Sequence, residues 1–343
     1  MLYETASHSV LDDSASLLLA SYLKAVADPL RITVLGLLRQ DSFAVLELCH
    51  ILSVKQSALS HHLKILAQAG LVITRREGNT IFYRRAAADA ADSANSVALQ
   101  QALFLRIDAI RLPAAVLVRL LEVQAERMSC SRTFFAQHAS FFRQQQEQIA
   151  DYDLYGPAMA ALLDRLTLPN HACALEIGPG NGQFLGELAQ RFARVCGLDN
   201  NAAMLALAAD YVRAHKLGNV ELFCGDISSL PNDFVPDCVV MNMVLHHTPS
   251  PAEVITAVGR SLSANACLLV CELCHHQQGW VREACGDIWL GFEPRELCSW
   301  LADAGLICES SQYLALRNGF QIQIHTTRQG SNPPTRSIQK GAK

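Results

Sequence analysis

Three glycines at alternate positions follow an acidic residue in a stretch that could bind a nucleotide-like ligand. The stretch reads CALEIGPGNG, and its acid is Glu176. Its glycines are Gly178, Gly180 and Gly182. Glycine lets a backbone turn tightly and approach a ligand, and a helix that follows presents its N-terminus to that ligand. Gln183 stands where the third glycine of a dinucleotide-binding G-x-G-x-x-G motif would be, so the spacing indicates a different ligand.

Polar residues also end three later apolar runs that read as strands. RVCGLD ends at Asp199, VELFCGD ends at Asp226, and DCVVMN ends at Asn242. A carboxylate at the position of Asp199 can accept hydrogen bonds from both hydroxyls of a ribose. The residues that follow the two acids, Asn200 and Ile227, are predicted to line the same cleft. Strand ends that alternate with helices predict a doubly wound parallel sheet, whose ligands lie over the carboxyl ends of the strands.

A second candidate site lies in residues 56–72, QSALSHHLKILAQAGLV. At about 3.6 residues per turn, its leucines stack on one side of a helix and its small polar and basic residues stack on another. The residues predicted to face a ligand are Gln56, Ser57, Ser60, His61 and Lys64. Gly70 stands where a left-handed helix cap is favoured, and a strand-like run begins at Leu71.

Positive charge is concentrated around this helix. Residues 54–85 carry six basic side chains and one acid, a local net charge of +5, whereas the whole chain has a formal net charge of −4. A basic segment in an acidic chain is typical of contact with a phosphate backbone. A solvated basic face is the alternative, and charge alone does not decide between the two.

The elements around residues 56–72 favour nucleic acid. DPLRITVLGLLRQ reads as a helix capped by Asp28 with a proline in its first turn, and AVLELCHIL reads as a second helix ended by the turn SVKQ. Two helices joined by a short turn form the helix-turn-helix that lays a recognition helix in the major groove. Beyond it, two strand-like runs flank a turn at Gly78, and Arg75 and Arg76 on this wing are predicted to reach phosphates.

Residues 22–85 resemble the ArsR/SmtB family of winged-helix regulators. The matching text is LKAVADPLRITVLGLL, ELCHILSVKQSALSHHLKILAQAGLV and RREGNTIFYR. The resemblance implies a homodimer that binds double-stranded DNA at an inverted-repeat operator, with half-sites about one helical turn apart. It also gives the two adjacent histidines different roles. His62 packs and hydrogen-bonds locally, whereas His61 faces the DNA.

The metal ligands of that family are not reproduced here, so no metal site is predicted. ELCHILS keeps one thiol of the arsenic and lead pattern, Cys49, and has Ile51 in place of the second. The helical text SANSVALQQALFLRIDAIR lacks the histidines of the zinc pattern. Thiolate sites need two or three soft ligands. Metal binding stays open at Cys49 and at a second set with metal-like spacing, Cys271, Cys274, His275 and His276.

Residues 150–326 resemble the class I S-adenosylmethionine (SAM) methyltransferases, above all the ubiquinone-type, or type 11/25-like, enzymes that act on small molecules. Some of these are fused behind ArsR-like domains. CALEIGPGNG matches their first motif, and LGFEPRELCSWLADAGL with YLALRNGFQIQIHTT matches their last helix and closing hairpin. The resemblance implies that the cleft binds SAM or its demethylated product, S-adenosylhomocysteine (SAH).

No catalytic residue is predicted in the cleft. His246 and His247 could provide a base, but loop packing or cofactor lining is the favoured role for both. Phe134, Phe135 and Tyr155 are candidates to close the cleft, with aromatic core packing as the alternative for each.

Length and composition limit the number of domains, the location and the state of the cysteines that are expected. At 343 residues, half of them apolar, the chain is long enough for two folded domains. No run approaches the roughly 20 apolar residues of a membrane span, and acids without a basic region near the N-terminus argue against a leader peptide. The expected location is the cytoplasm, without a membrane partner. Most of the 12 cysteines are expected to be reduced residues of the core.

The predicted fold is α/β overall, with an N-terminal winged helix-turn-helix of α+β type and a C-terminal Rossmann-like, doubly wound methyltransferase domain. Its segments are a flexible N-terminus (1–12), the ArsR-type domain (13–90), a helical dimerisation or linker segment (91–149), the methyltransferase domain (150–326) and a flexible tail (327–343). A helical stripe in the linker segment has no obvious partner in a small winged helix and is assigned to the dimer interface. It consists of Leu99, Leu103, Ile107 and Ile110.

Two functions remain open at this point. In one, the chain is a DNA-binding regulator that senses SAM or SAH. In the other, it is an active SAM-dependent methyltransferase of a small molecule with an autoregulatory DNA-binding domain. An arsenic- or metal-responsive repressor is a third, less favoured interpretation. The regulator is favoured because a DNA-binding head without its metal ligands still needs an input, and the methyltransferase fold can retain activity beside that role.

Overall fold

The computed structural model describes residues 14–77, 80–87, 94–139, 142–169, 171–231 and 233–330. It divides into two compact units, Met1–Val123 and Gln124–Lys343. The expected flexible N-terminus, the wing turn at Gly78 and the expected tail beyond Gly330 lie outside the described residues.

The first unit contains three strands and a set of helices. They are α1 (Ser14–Val26), α2 (Pro29–Leu37), β1 (Phe43–Ala44), α3 (Val45–Leu52), α4 (Gln56–Gln68), β2 (Val72–Glu77), β3 (Thr80–Arg85), α5 (Ala94–Asp108) and the first part of α6 (Ala114–His138). Strand β3 pairs antiparallel with both β1 and β2. The predicted winged helix-turn-helix is confirmed.

Local sequence signals set the helix ends in this unit. The Asp28 carboxylate accepts the backbone N–H groups of Leu30 at 2.9 Å and Arg31 at 3.1 Å, which caps α2 as predicted. Helix α3 ends at Ser53 in the left-handed conformation (φ 55°), and Gly70 (φ 70°) follows α4 in the same conformation. Glycine adopts this conformation without the steric penalty of a side chain, so Gly70 is a suitable helix stop.

The inner side of α4 anchors that helix in the unit. Its leucines, Leu59, Leu63 and Leu66, are at most 1% exposed and belong to one apolar cluster with residues of α2 and α3. Burying one leucine side chain stabilises a fold by roughly 1.5–3 kcal/mol. The helix is therefore held in one orientation, with its polar side directed away from the cluster.

The apolar stripe of α5 belongs to the same cluster, which corrects the prediction that it has no partner in a small winged helix. Ile107 is 4% exposed, and Leu99 and Leu103 pack against the cluster. The physical reason is that α5 contacts both α1 and α2, so its apolar side is covered within the unit. Ile110 lies beyond the end of α5 and is 55% exposed.

The second unit begins inside α6, so the expected separate segment 91–149 is divided between the two units. Its further elements are α7 (Phe142–Ile149), α8 (Tyr152–Leu163), β4 (Cys173–Ile177), α9 (Gln183–Ala189), β5 (Arg194–Asp199), α10 (Ala202–Ala214), β6 (Val220–Cys224), β7 (Cys238–Asn242), α11 (Pro251–Ser261), β8 (Cys267–Leu273), α12 (Val281–Cys285), α13 (Pro294–Asp303), β9 (Leu306–Ala315) and β10 (Gln321–Gln329). The last strand runs three residues past the boundary expected at 326.

A seven-stranded sheet in the order β6-β5-β4-β7-β8-β10-β9 forms the centre of this unit. The strands from β4 to β8 run parallel, and β10 lies antiparallel between β8 and β9. The predicted doubly wound, Rossmann-like sheet is confirmed. The chain moves outward from β4 to β6 and then returns to β7 on the other side of β4. The carboxyl ends of strands at such a reversal leave a crevice for a ligand.

None of the described helices combines the length and the apolar character needed to cross a membrane.

Candidate functional site

A cavity of about 670 Å³ opens in the second unit beyond the carboxyl ends of β4, β5 and β7. This volume is within the usual range of small-molecule sites, roughly 300–1,000 Å³. The predicted cofactor residues that line it are Glu176, Gly178, Gly180, Asp199, Asn200, Asp226, Ile227 and Asn242. The sheet thus brings together residues that are up to 66 positions apart in sequence.

A buried polar pair lies at the floor of this cavity. The Asn242 side-chain amide Nδ2 donates to Glu176 Oε1 at 3.2 Å, and the two residues are 8% and 2% exposed. Burial raises the pKa of Glu176 to about 8, although the hydrogen bond from Asn242 opposes this rise. Glu176 Oε2 and Asn242 Oδ1 are buried acceptors without a hydrogen-bond partner among the described residues. Such acceptors fit a ligand that brings its own donors.

The glycine-rich turn approaches the cavity because side chains are absent from it. Gly178 has φ +66°, and a Cβ there would lie 2.3 Å from Val244 Cγ2, so no larger residue fits. Gly180 also has a positive φ, at 54°. Both residues keep the backbone close to the ligand space, as their spacing predicts.

Gly182 has a structural role in the glycine-rich turn. It is absent from the cavity lining and caps α9 with φ 83°. A Cβ at this position would lie 3.0 Å from Tyr211 Cβ and 3.2 Å from the backbone of Ala208. The third glycine therefore lets α9 and α10 pack closely, which is a structural requirement of the site.

The two acids predicted after β5 and β6 are held by backbone N–H groups. The Asp199 carboxylate accepts from the Asn201 amide at 2.8 Å, and burial raises the pKa of Asp199 to about 6 despite this hydrogen bond and a second one from Asn200. The Asp226 carboxylate is exposed and accepts from the Ser228 amide at 2.8 Å. Both acids are held in place before any ligand binds.

The loop after β7 is tied to β8 by a buried carboxylate. Glu272, fully buried, accepts from the backbone N–H groups of Leu245 at 2.9 Å and His246 at 3.3 Å, and its Oε1 lies 2.5 Å from His246 Nδ1. Burial disfavours the charged imidazole, but the negative charges of Glu272 and Asp287 outweigh this effect and raise the pKa of His246 to about 9. The favoured structural role of His246 is thus supported by its geometry.

His247 is the histidine of this loop that lines the cavity. Its Nδ1 lies 3.4 Å from the Gly286 carbonyl oxygen, and its ring meets Phe135 edge to face at 4.8 Å. Burial, together with the positive charge of His246, lowers the pKa of His247 well below its ordinary value. Burial therefore favours the neutral form of the His247 imidazole.

Helices α6 and α8 form part of the remaining wall of the cavity, and α11 forms another part. Phe135 and Tyr155 line it, as two of the three aromatic candidates were expected to do. Phe134 instead packs over Gly286, where a Cβ would come within 2.3 Å of its ring. Met128, Ser131 and Tyr152 are among the lining residues that sequence reasoning missed. They carry no motif, and only the position of their helices brings them to the cavity.

The polar side of α4 is the candidate surface in the first unit. Its predicted contact residues, Gln56, Ser57, Ser60, His61 and Lys64, are all exposed. On the wing, Arg76 is exposed, whereas the Arg75 guanidinium lies 2.5 Å from the Glu77 carboxylate. The two arginines, predicted to act alike, therefore have different surroundings.

His62 lies on the flank of α4 near the start of α2. Its Nδ1 is 3.7 Å from the Asp28 carboxylate and 3.4 Å from the Arg31 guanidinium. Burial raises the pKa of Asp28, but the Arg31 N–H group and the nearby positive charges lower it by more, so it stays below its usual range. This arrangement agrees with the local packing expected of His62.

The cysteines left open as metal ligands have ordinary surroundings. Cys49 is half-buried, and burial raises the pKa of its thiol. Cys271 is fully buried in β8, where it pairs with Asn242 on one side and Ile324 on the other. Within the described residues, two sets of three close metal-binding side chains occur, and neither includes Cys49 or a residue of CELCHH.

Known protein families match both units. Residues 28–74 match the model described as the bacterial regulatory protein, arsR family, and residues 175–270 match the model described as a methyltransferase domain. The chain therefore carries an arsR-family regulator domain followed by a methyltransferase domain, as both resemblances predicted.

Individual relatives match one unit at a time. The HTH-type transcriptional regulator NmtR of Mycobacterium tuberculosis is 40% identical over 73 residues, which are 21% of this chain and 61% of that protein. Trans-aconitate 2-methyltransferase of Variovorax paradoxus is 32% identical over 112 residues, which are 32% of this chain and 41% of that protein. The chain thus spans less than two thirds of the length of these curated relatives.

Among solved structures, the N-methyltransferase NodS from Bradyrhizobium japonicum, in complex with SAH, is similar to this chain. The similarity covers 55% of this chain and 97% of that one, at 16% identity and a TM-score of 0.42.

We expect the buried Glu176 carboxyl to make the stability of the ligand-free protein depend on pH. Its pKa is 4.5 when unfolded and about 8 when folded, so the folded state binds more protons between these values. The free energy of unfolding should therefore fall as the pH rises from 4.5 to about 8. Glu176→Gln should flatten this dependence, measured by urea unfolding at several pH values. The exposed Glu283→Gln serves as the control, and an unchanged slope in Glu176→Gln would contradict the assignment.

Proposed function

We propose that this chain is a dimeric DNA-binding regulator whose affinity for its operator depends on whether SAM or SAH occupies the cavity. The observation that carries this proposal is the position of α6. One continuous helix, Ala114–His138, contributes to the core of the regulator unit and to the wall of the methyltransferase cavity.

The first part of α6 packs beside the helix-turn-helix. Val116 and Val123 belong to the apolar cluster that anchors α4. Arg119 Nε donates to the carbonyl oxygen of Ile51 in α3 at 2.7 Å. A displacement of this part of the helix would therefore act on the helix that precedes the recognition helix.

The second part of α6 contacts the loop that lines the cavity. Ser131 Oγ donates to the His247 carbonyl oxygen at 3.2 Å, and the Arg127 guanidinium donates to the Pro249 carbonyl oxygen at 3.2 Å. A ligand that contacts this loop can shift the protein between two states only if it binds them with different affinity. The shared helix gives such a difference a route to the regulator unit.

The cavity residues fit SAM in chemical terms. The free acceptors of Glu176 and Asn242 suit a ligand ammonium group, and Asp199 suits the two hydroxyls of a ribose. Asp226 and Ile227 follow β6 and also line the cavity, and they would hold an adenine ring. When bound, SAM supplies an electrophilic methyl group, whereas SAH has the same donors and lacks that methyl group.

The regulator unit has an exposed polar helix side and an exposed arginine that suit contact with DNA. The exposed polar side of α4 suits the major groove, and Arg76 suits phosphate. A two-fold dimer would read an inverted repeat with half-sites about one helical turn apart. Exposed leucines of α1 and α5, namely Leu17, Leu23 and Leu105, supply apolar surface for such a dimer. A regulator of this kind acts where the DNA is, so we place it in the cytoplasm.

Variants of the DNA-binding surface should separate affinity from specificity. Arg76→Ala should weaken binding to all sequences alike, because it removes one phosphate contact. It should also reduce the slope of log affinity against log salt concentration by about one. Ser57→Ala, Ser60→Ala and His61→Ala should instead change the preferred sequence, by roughly 1–3 kcal/mol for a lost base contact. Fluorescence anisotropy over a range of salt measures both, with the exposed Arg165→Ala as control for charge. Absence of any sequence-specific complex at moderate salt would contradict DNA recognition.

Asp199→Ala should weaken SAM binding by about 10- to 150-fold. The two ribose hydroxyls lose a charged acceptor, which is worth roughly 1.5–3 kcal/mol. Isothermal titration calorimetry measures the change, and Asp210→Ala, which removes an exposed acid of α10, should leave affinity unchanged. Binding of NADH without binding of SAM would show that the glycine spacing was misinterpreted.

Methyl transfer to a small molecule is the second candidate function, and His247 supports it. The Gly286 carbonyl oxygen can only accept, so it places the proton of the neutral imidazole on Nδ1 and leaves Nε2 unprotonated. That atom could remove a proton from a methyl acceptor, while the cavity walls hold the acceptor in line.

The two functions differ in how DNA affinity responds to the ligand. For the regulator, DNA affinity measured with SAM, with SAH and with neither should differ by at least about fivefold between two of the states. Asp199→Ala should bind DNA normally and lose this response at SAM concentrations that saturate the wild type. Equal DNA affinity in all three states, with turnover of SAM over a panel of small thiols, phenols and quinols, would reject the regulator in favour of the methyltransferase.

A further inference from the structure

Two thiols and an imidazole meet at the edge of the sheet formed by β9 and β10. Cys298 comes from α13, Cys308 from β9 and His325 from β10. Both Sγ atoms lie 3.9 Å from His325 Nδ1, and the three ligand atoms are within 4.8 Å of one another. None of the three residues lines the cofactor cavity.

A hydrogen-bond relay fixes which nitrogen of His325 is free. The Gln323 amide Nε2 donates to the carbonyl oxygens of Phe292 at 2.8 Å and Leu273 at 3.2 Å. The amide oxygen of Gln323, Oε1, is therefore directed toward His325. That oxygen lies 2.9 Å from His325 Nε2 and can only accept. His325 Nε2 therefore carries the ring proton, and the lone pair of Nδ1 faces the Ser311 hydroxyl at 2.8 Å and the two thiols at 3.9 Å.

A β-bulge places Cys308 beside this lone pair. His325 is opposite Ser311 in the register, but Cys308 is opposite Thr327, because the pairing shifts between Thr326 and Thr327. Strand alternation alone would put residues three apart, such as Cys308 and Ser311, on opposite faces. The bulged residue, Glu309, turns Cys308 onto the face that holds His325.

We infer that Cys298, Cys308 and His325 form a binding site for Zn²⁺ or a similar thiophilic divalent cation. With Zn–S and Zn–N bonds of about 2.3 and 2.0 Å, sulfur and nitrogen in a tetrahedral site are about 3.5 Å apart. The two separations of 3.9 Å here need to shorten by only a few tenths of an ångström. Two thiolates and one imidazole are the ligand types that this cation prefers.

The surroundings allow a cation to enter the site and a fourth ligand to complete its coordination. Cys308 is exposed and Cys298 is partly exposed, whereas His325 is fully buried. The Ser311 hydroxyl lies 2.8 Å from His325 Nδ1 and 3.5 Å from Cys308 Sγ, so it or a water is near the open position. Binding would release one proton from each thiol, and burial lowers the pKa of His325, which keeps its nitrogen available near pH 7.

Titration of the reduced, metal-free full-length protein with Co²⁺ and then Zn²⁺ tests this site. We expect one Co²⁺ per chain with a thiolate-to-metal charge-transfer band, which Zn²⁺ displaces. Cys298→Ser and Cys308→Ser should each weaken Zn²⁺ binding by at least about tenfold, measured by competition with a chromophoric chelator. Loss of an outer-shell partner alone weakens metal binding by about 10- to 100-fold, and these variants each remove a direct ligand. His325→Asn should do the same, and the two serine variants decide the question if that buried substitution prevents folding.

The matched control is Cys224→Ser, since Cys224 is an exposed cysteine on β6, the opposite edge strand of the sheet. It should keep wild-type affinity. Absence of the charge-transfer band in the wild type, or the same band in the Cys298→Ser and Cys308→Ser variants, would overturn the site. A Cys298–Cys308 disulfide under oxidising conditions, with no metal binding under reducing ones, would overturn it too and assign the pair to redox chemistry. These measurements require neither DNA nor SAM.

Discussion

The buried carboxylate of Glu272 is the constraint on which the cofactor cavity depends. A charge without solvent must be compensated by donors. Here they are the backbone N–H group of Leu273 in β8 and, from the loop that follows β7, two backbone N–H groups and one imidazole. This requirement fixes the loop against the end of β8. His247, which lines the cavity, and the two carbonyl oxygens that receive hydrogen bonds from α6 lie on that same loop. The electrostatics of one strand end thus position both a wall of the cavity and the loop that receives hydrogen bonds from the second part of α6.

The elements that local chemistry controls could be predicted from the sequence. The cap at Asp28, the left-handed Gly70 and the polar residues at the ends of β4, β5 and β7 follow from rules that act within a few residues. The parallel sheet then brings those strand ends together because its topology leaves no other arrangement. Eight of the nine predicted cofactor positions line the cavity for this reason. Gly182 is the exception, because the packing of α9 on α10 requires glycine there and a spacing motif cannot separate that need from ligand contact.

What the sequence could not predict depends on contacts between distant elements. The stripe of α5 looked unpartnered, because nothing local reveals that α1 and α2 cover it. Met128 and Ser131 carry no signal of their own and become cavity residues only through the course of α6. Arg75 and Arg76 are adjacent and chemically identical, yet strand alternation buries Arg75 beside Glu77, two residues away on the same face, and leaves Arg76 exposed.

The irregularity in the β9–β10 ladder also affects how related sequences can be compared with this chain. A bulge is a single inserted residue, so a homologous strand that lacks the counterpart of Glu309 would present its cysteine on the other face of the sheet while keeping every residue type. Conservation of the two cysteines and the histidine is therefore an insufficient criterion for shared metal chemistry. The length of the segment between Cys308 and Ser311 is the diagnostic character, and an alignment that closes a one-residue gap there would hide the loss of the site.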